Sequence, residues 1–270
     1  MLEIKTVKKG AELVSIKIDG IERMHDGENF WNRHSPVLFP IVGKLKDGKT
    51  IIEGKEYQMG QHGFARDMEF TLVEEGENKL SFVLESNDET LTKYPFKFRL
   101  VCSFKLENNK ITVGWDVLNT DDKTMYFSIG AHPAFYCKKG ETVLSMNGEN
   151  LEYSLVNSDG LYTPKKYDVD SSFVLHDHIF DKDALIIENS NVTEVSLNDN
   201  GKNYLTVKFD APLFGIWSPT KKNAPFVCIE PWYGRCDGAD FNGDITEREW
   251  SNSLKVNENW HKEYEIIINE

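Results

Sequence analysis

The chain has 270 residues, 40% of them hydrophobic and 28% charged, the balance of an ordinary globular protein with room for a sizeable core. A net charge of -13 sets its long-range field against phosphate backbones and argues against a nucleic-acid partner. No apolar run approaches the length of a membrane helix. The N-terminus alternates charged and apolar residues where a signal peptide would be continuously apolar, so a cytoplasmic protein without a membrane partner is expected.

Taken in chain order, period-two alternation predicts strands at 12–18, 50–59, 79–86, 98–106 and 110–119. The strand-like "MYFSI" (125–129) runs directly into "GAHPAF" (130–135). Further strands are predicted at 194–198, 204–210, 214–218, 226–230 and 263–268. Turn residues separate them, as in Lys46-Asp47-Gly48, Glu107-Asn108-Asn109 and Asp199-Asn200-Gly201. Helical spacing is confined to 88–95 and 245–252. No linker, composition break or repeat divides the chain, so residues 1–270 are expected to form one all-β domain, a large antiparallel β-sandwich with few short helices. The four cysteines, Cys102, Cys137, Cys228 and Cys236, lack metal or redox spacing and are expected to be buried, reduced thiols.

Three segments carry chemistry. His132 lies at a strand end between Gly130 and Pro133, a fixed backbone from which an imidazole can serve a cleft as acid or base. His62, in "GQHGFARD" (60–67), is flanked by Gly60 and Gly63, which let backbone approach a ligand closely. Glu230 ends the apolar run of "APFVCIEPWYG" (224–234), where burial would raise its pKa into the range of a usable base. Each has a structural alternative: a histidine bonded to a loop carbonyl, or a glutamate paired with Arg235. Aromatic residues accompany all three segments, Phe64 beside His62, Phe135 beside His132, and Trp232 and Tyr233 beside Glu230. Such rings can cover the apolar face of a sugar. "LHDHIFDKD" (175–183) pairs His176 with His178, but without a matching third ligand it reads as a polar loop, so no metal is expected.

"WNRHSPVLFPIVGKL" (31–45), "QHGFARD", "GAHPAF", "FDKDALI" (180–186) and "CIEPWYG" (228–234), taken together and in order, resemble the aldose 1-epimerase (galactose mutarotase) family, specifically its LacX-like branch. The resemblance implies a galactose mutarotase-like supersandwich. It also implies cofactor-free interconversion of the α and β anomers of an aldose, by a monomer or homodimer whose partner is a small sugar. On this resemblance Glu230 is the base at the anomeric hydroxyl, His132 the acid at the ring oxygen, and His62 the residue that steadies that oxygen. Asp183 resembles the family's sugar-binding aspartate, with Asp181 close by, and Lys44 stands where the family often has arginine. Arg33, Arg66 and Trp232 complete the expected substrate-binding set. A hexose-6-phosphate 1-epimerase using Arg33, Lys44 and Arg66 as a phosphate clamp, and a non-catalytic carbohydrate-binding sandwich, are the alternatives.

Overall fold

The computed structural model describes residues 1–269. Among them the single α-helix, Asp88–Lys93, has six residues, opened by a capping box between Asn87 and Thr90 and closed ahead of Pro95. None of these residues forms a helix long and apolar enough to cross a membrane. The rest is organised by alternation. In the strand Lys110–Asn119, Ile111, Val113, Trp115 and Val117 are buried while Thr112, Asp116 and Leu118 are partly exposed, so one face is apolar and must be covered.

Nine strands meet that need as one antiparallel sheet. Its order is Ser172–Val174, Val143–Met146, Glu194–Asp199, Lys202–Phe209, Asn259–Ile268, Lys110–Asn119, Phe98–Glu107, Lys79–Glu85 and Thr71–Glu75. The C-terminal strand Asn259–Ile268 lies in the middle, pairing with Lys202–Phe209 on one side and Lys110–Asn119 on the other. A second sheet runs Ile129–Gly130, Phe226–Tyr233, Leu213–Trp217 and Leu185–Glu188, and Ala134–Tyr136 also pairs with Phe226–Tyr233. Leu185, Ile187, Phe214, Ile216, Val227 and Ile229 turn one face of this sheet into the same core as Val113, Trp115, Val207 and Ile266 of the larger one. This is the large antiparallel β-sandwich expected from the alternation. Residues of opposite parity, Trp217, Cys228, Glu230 and Trp232, lie on the outer face of the second sheet.

The expected strands at 12–18 and 110–119 are found with those limits, and 79–86 and 98–106 shift by a single residue. The expected strand at 50–59 is instead a hairpin, Lys49–Ile52 with Lys55–Gln58, because Glu53 and Gly54 both adopt positive φ. Helical spacing at 245–252 yields only the 3-10 turn Ile245–Glu247. Its N–H groups are met by Asp244, and the chain then enters the strand Asn252–Leu254 against Met125–Phe127. The four cysteines are buried and free. His176 and His178 stack on each other at a short 3-10 turn, 5.3 Å between ring centres.

Candidate active site

Glu230 lies in the middle of the strand Phe226–Tyr233, where the sequence placed it at a strand end. The strand continues because Pro231 still offers its carbonyl, which accepts from Ala131 N–H at 3.0 Å. The pairs Gly130↔Trp232 and Ala134↔Cys228 keep a single antiparallel register, and that register brings His132 opposite Glu230. Nε2 of His132 is 3.3 Å from Oε2 of Glu230. Arg235 does not pair with Glu230; its guanidinium goes to Glu188, at 3.2 Å, and to Glu249. Neither oxygen of the Glu230 carboxyl has a hydrogen-bond partner, and Nδ1 of His132 has none.

His62 stands edge-on to His132, 5.6 Å between ring centres. Gly43 N–H donates to its Nδ1 at 3.1 Å. Nδ1 is therefore unprotonated, and the proton of the neutral ring resides on Nε2. The Gln61 amide lies 3.2 Å from that Nε2 and is best oriented with its oxygen accepting from it.

These three residues lie in a cleft of about 400 Å³ that also holds Asp183, Lys44, Arg33, Arg66 and Trp232. The cations are tethered from behind: Arg33 donates to Asp67 at 2.9 Å, Arg66 to the Gln61 carbonyl at 2.6 Å, and Lys44 to the Asp159 carbonyl at 2.8 Å. Nε of Arg66 is buried without a hydrogen-bond partner, the Asp67 carboxylate lying 3.9 Å away. Asp183 reaches the cleft through a positive-φ backbone, φ 77°, whereas Asp181 lines a separate cavity beside Tyr167.

The aromatic wall differs from expectation. Phe64, Phe135 and Tyr233 point into the core, away from the cleft. Trp31 and Trp217 take their place. Trp31 stacks on the His132 imidazole at 4.7 Å with 28° between planes, and Trp217 meets the same ring edge-on at 5.3 Å. Both had a signal in the sequence: Trp31 opens the first motif, and Trp217 alternates outward from Ile216. Trp232 fits because two glycines give way. A Cβ at Gly215 or Gly130 would come within 2.6 Å of its ring. Its indole N–H is buried without a well-formed hydrogen bond, yet faces the Glu230 carboxyl closely enough to favour its charged form.

Burial governs the electrostatics. It pushes the Glu230 carboxyl well above the usual carboxylate range, the Asp183 charge adds to the rise, and the Trp232 indole opposes it. Burial lowers His132 to about 3, and Arg66 and Arg33 contribute to the drop although its own backbone opposes it. His62 is also held well below its ordinary value, by burial first and then by His132, Arg66 and Arg33. Burial and neighbouring Arg33 bring Arg66 down to about 10.

The sequence model of the aldose 1-epimerase family matches residues 1–266. The chain belongs to the aldose 1-epimerase family. Within it, the LacX protein encoded on a Lactococcus lactis plasmid is 31% identical over 99% of this chain and 96% of that protein. A galactose mutarotase related enzyme from Lactobacillus acidophilus superposes with a TM-score of 0.95 at 33% identity, covering 100% of this chain and 95% of the other. A galactose mutarotase-like protein from Lactobacillus casei gives 0.94 at 28% identity, with 99% and 97% covered. Family membership supports an epimerase-type enzyme acting on sugars. A putative aldose 1-epimerase from Escherichia coli shares the sandwich fold, with a TM-score of 0.77, at 16% identity.

Proposed function

We propose that the protein is an aldose 1-epimerase that interconverts the α and β anomers of a free aldohexose, with Glu230 and His132 exchanging the protons. The carrying observation is the 3.3 Å contact between a carboxyl and an imidazole at the floor of a cleft walled by tryptophans. Mutarotation needs a proton taken from the anomeric hydroxyl and one given to the ring oxygen. Both oxygens are bonded to the same carbon, so two groups 3.3 Å apart can address both.

The pair holds one proton. With that proton on His132, the Glu230 carboxylate takes the hydroxyl proton while the imidazolium protonates the ring oxygen, and the ring opens. After rotation about C1–C2, neutral His132 takes the C5 hydroxyl proton, protonated Glu230 returns one to the carbonyl oxygen, and the ring closes on the other face. Burial favours the uncharged arrangement of the pair, the one that closes the ring. His62, a neutral ring with Nε2 as its donor, steadies the ring oxygen without titrating, its N–H turning from the Gln61 amide to the sugar. Trp31 and Trp217 hold the His132 ring, and Asp183, Lys44, Arg33, Arg66 and the Trp232 N–H bind hydroxyls.

A second reading has its own observation. Arg33 and Arg66 share one wall, and the buried Nε of Arg66 lacks an acceptor, as a site for a hexose 6-phosphate would require. Against it, Asp67 already bridges the two guanidiniums. Anomer exchange measured by NMR on galactose, glucose and their 6-phosphates decides. The free-sugar reading requires the higher kcat/KM on the free sugars; a preference for the phosphates that Arg66→Ala abolishes would replace it. Absence of exchange on every sugar would leave a binding protein.

A further inference from the structure

One buried nucleophile has no part in that mechanism. Cys228 lies two residues before Glu230 on the same face of the same strand and pairs in register with Ala134, two residues beyond His132. A carboxylate oxygen of Glu230, a ring nitrogen of His132 and Sγ of Cys228 all lie within 4.8 Å of one another, and among the described residues this is the group of His, Cys, Asp and Glu side chains with such spacing.

We propose that His132, Cys228 and Glu230 form an inhibitory site for a soft divalent cation of the zinc type. The donor set is nitrogen, sulfur and oxygen, the combination that zinc and cadmium accept and magnesium and calcium do not. Zinc bonds of about 2.0–2.1 Å to nitrogen and oxygen place two tetrahedral ligands roughly 3.3–3.4 Å apart, and the His132 and Glu230 atoms are 3.3 Å apart. Both Glu230 oxygens are buried and unpartnered on a side chain that is 1% exposed. Such a carboxyl lacks the donors a purely structural role would supply. Three ligands come from two paired segments of one sheet. The fourth position opens on the cleft, where water or a sugar hydroxyl completes the shell.

The chemistry of capture is simple. The thiol proton of Cys228 and the shared proton of the Glu230–His132 pair leave to solvent, and three lone pairs close on the ion. Two of those lone pairs are the ones that proton exchange uses, so an occupied site is silent toward sugar. That consequence rests on the proposed epimerase reading; the binding itself does not. Nothing in the packing demands sulfur at this position, because Cys228 is lodged among Ala134, Ala224 and Phe226, where a serine or an alanine also fits.

The test uses the full chain, freed of metal. Cobalt(II) titration should develop a thiolate-to-cobalt charge-transfer band with one equivalent bound, and zinc should bleach it. Cys228→Ala and Cys228→Ser should lose the band and bind zinc ~10- to 100-fold more weakly, while anomerisation without metal stays at the wild-type rate. Zinc should inhibit the wild type reversibly, with chelator restoring the rate, and both variants should require ~10-fold or more zinc for the same inhibition. Cadmium-113 NMR of the unaltered protein should report a single sulfur ligand, a readout independent of how either variant folds. A cadmium shift without sulfur, or a charge-transfer band that persists in Cys228→Ala, overturns the site. A protein with the band but without anomerisation retains the metal site and loses the epimerase reading.

Discussion

Gly43 N–H donates to Nδ1 of His62 at 3.1 Å, and this one backbone contact fixes which face of the imidazole can give a proton. Protonating His62 would break the bond, so burial and geometry act in the same direction. His62 should therefore titrate below its ordinary value of 6.5, remaining a neutral Nε2–H ring through the neutral range. Nitrogen-15 NMR of the ring checks this. A histidinium pattern for His62 near neutrality would contradict the arrangement.

Glu230 and His132 carry the proposed proton exchange. Glu230→Gln and His132→Asn should each lower the anomerisation rate by about 10²- to 10⁴-fold with the fold intact by circular dichroism. Polarimetry on a freshly dissolved anomer measures it. Near-normal rates in both would move the chemistry elsewhere in the cleft.

The same substitutions should alter stability in opposite pH ranges. The folded-state pKa of Glu230 is raised above 4.5, so as pH rises past that value the unfolded chain releases a proton that the folded chain retains. Stability contributed by this group is present at low pH and is lost as pH increases. Glu230→Gln removes the loss and should melt above the wild type at about pH 7, the gap closing toward acid. His132 is lowered from 6.5 to about 3, so the unfolded chain takes up a proton first as pH falls. His132→Asn should gain relative stability below about pH 6 and show little gain at about pH 8. Thermal melts across pH read both.

Gly215 leaves room for the Trp232 indole, and a Cβ there would sit 2.6 Å from the ring. Gly215→Ala should displace Trp232 from the sugar site, raising KM several-fold and costing about 1–3 kcal/mol of stability, the usual penalty of overpacking. Wild-type KM with wild-type stability would show that the ring has space to yield.

Since the proposed proton transfers use only side chains of the chain, exhaustive chelation should leave the rate unchanged, or raise it where inhibitory zinc was present. A rate lost on chelation and restored by a divalent ion would require a metal in the reaction.

Much of the sandwich was legible because alternation is a local signal: Ile111, Val113, Trp115 and Val117 announce their strand without help from the rest of the chain. The motifs were legible too, and His62, His132, Glu230, Asp183, Lys44, Arg33, Arg66 and Trp232 do meet in one cleft. What sequence reasoning misplaced depended on pairing. Phe64 and Phe135 adjoin the histidines in sequence but point the other way. Trp217 and Trp31 come from distant segments and become neighbours of His132 only once the sheet is assembled. The extension of the strand through Pro231 likewise depends on its carbonyl finding Ala131.

The strand Phe226–Tyr233 divides its labour by parity. Even-numbered Phe226, Cys228, Glu230 and Trp232 belong to the cleft and its underside, while odd-numbered Val227, Ile229 and Tyr233 belong to the core between the sheets. The floor of the cleft can therefore be varied at every second residue without touching the inter-sheet packing directly, although Glu230 still couples to stability through its proton. One strand of eight residues thus serves the cleft and the inter-sheet packing in two interleaved registers.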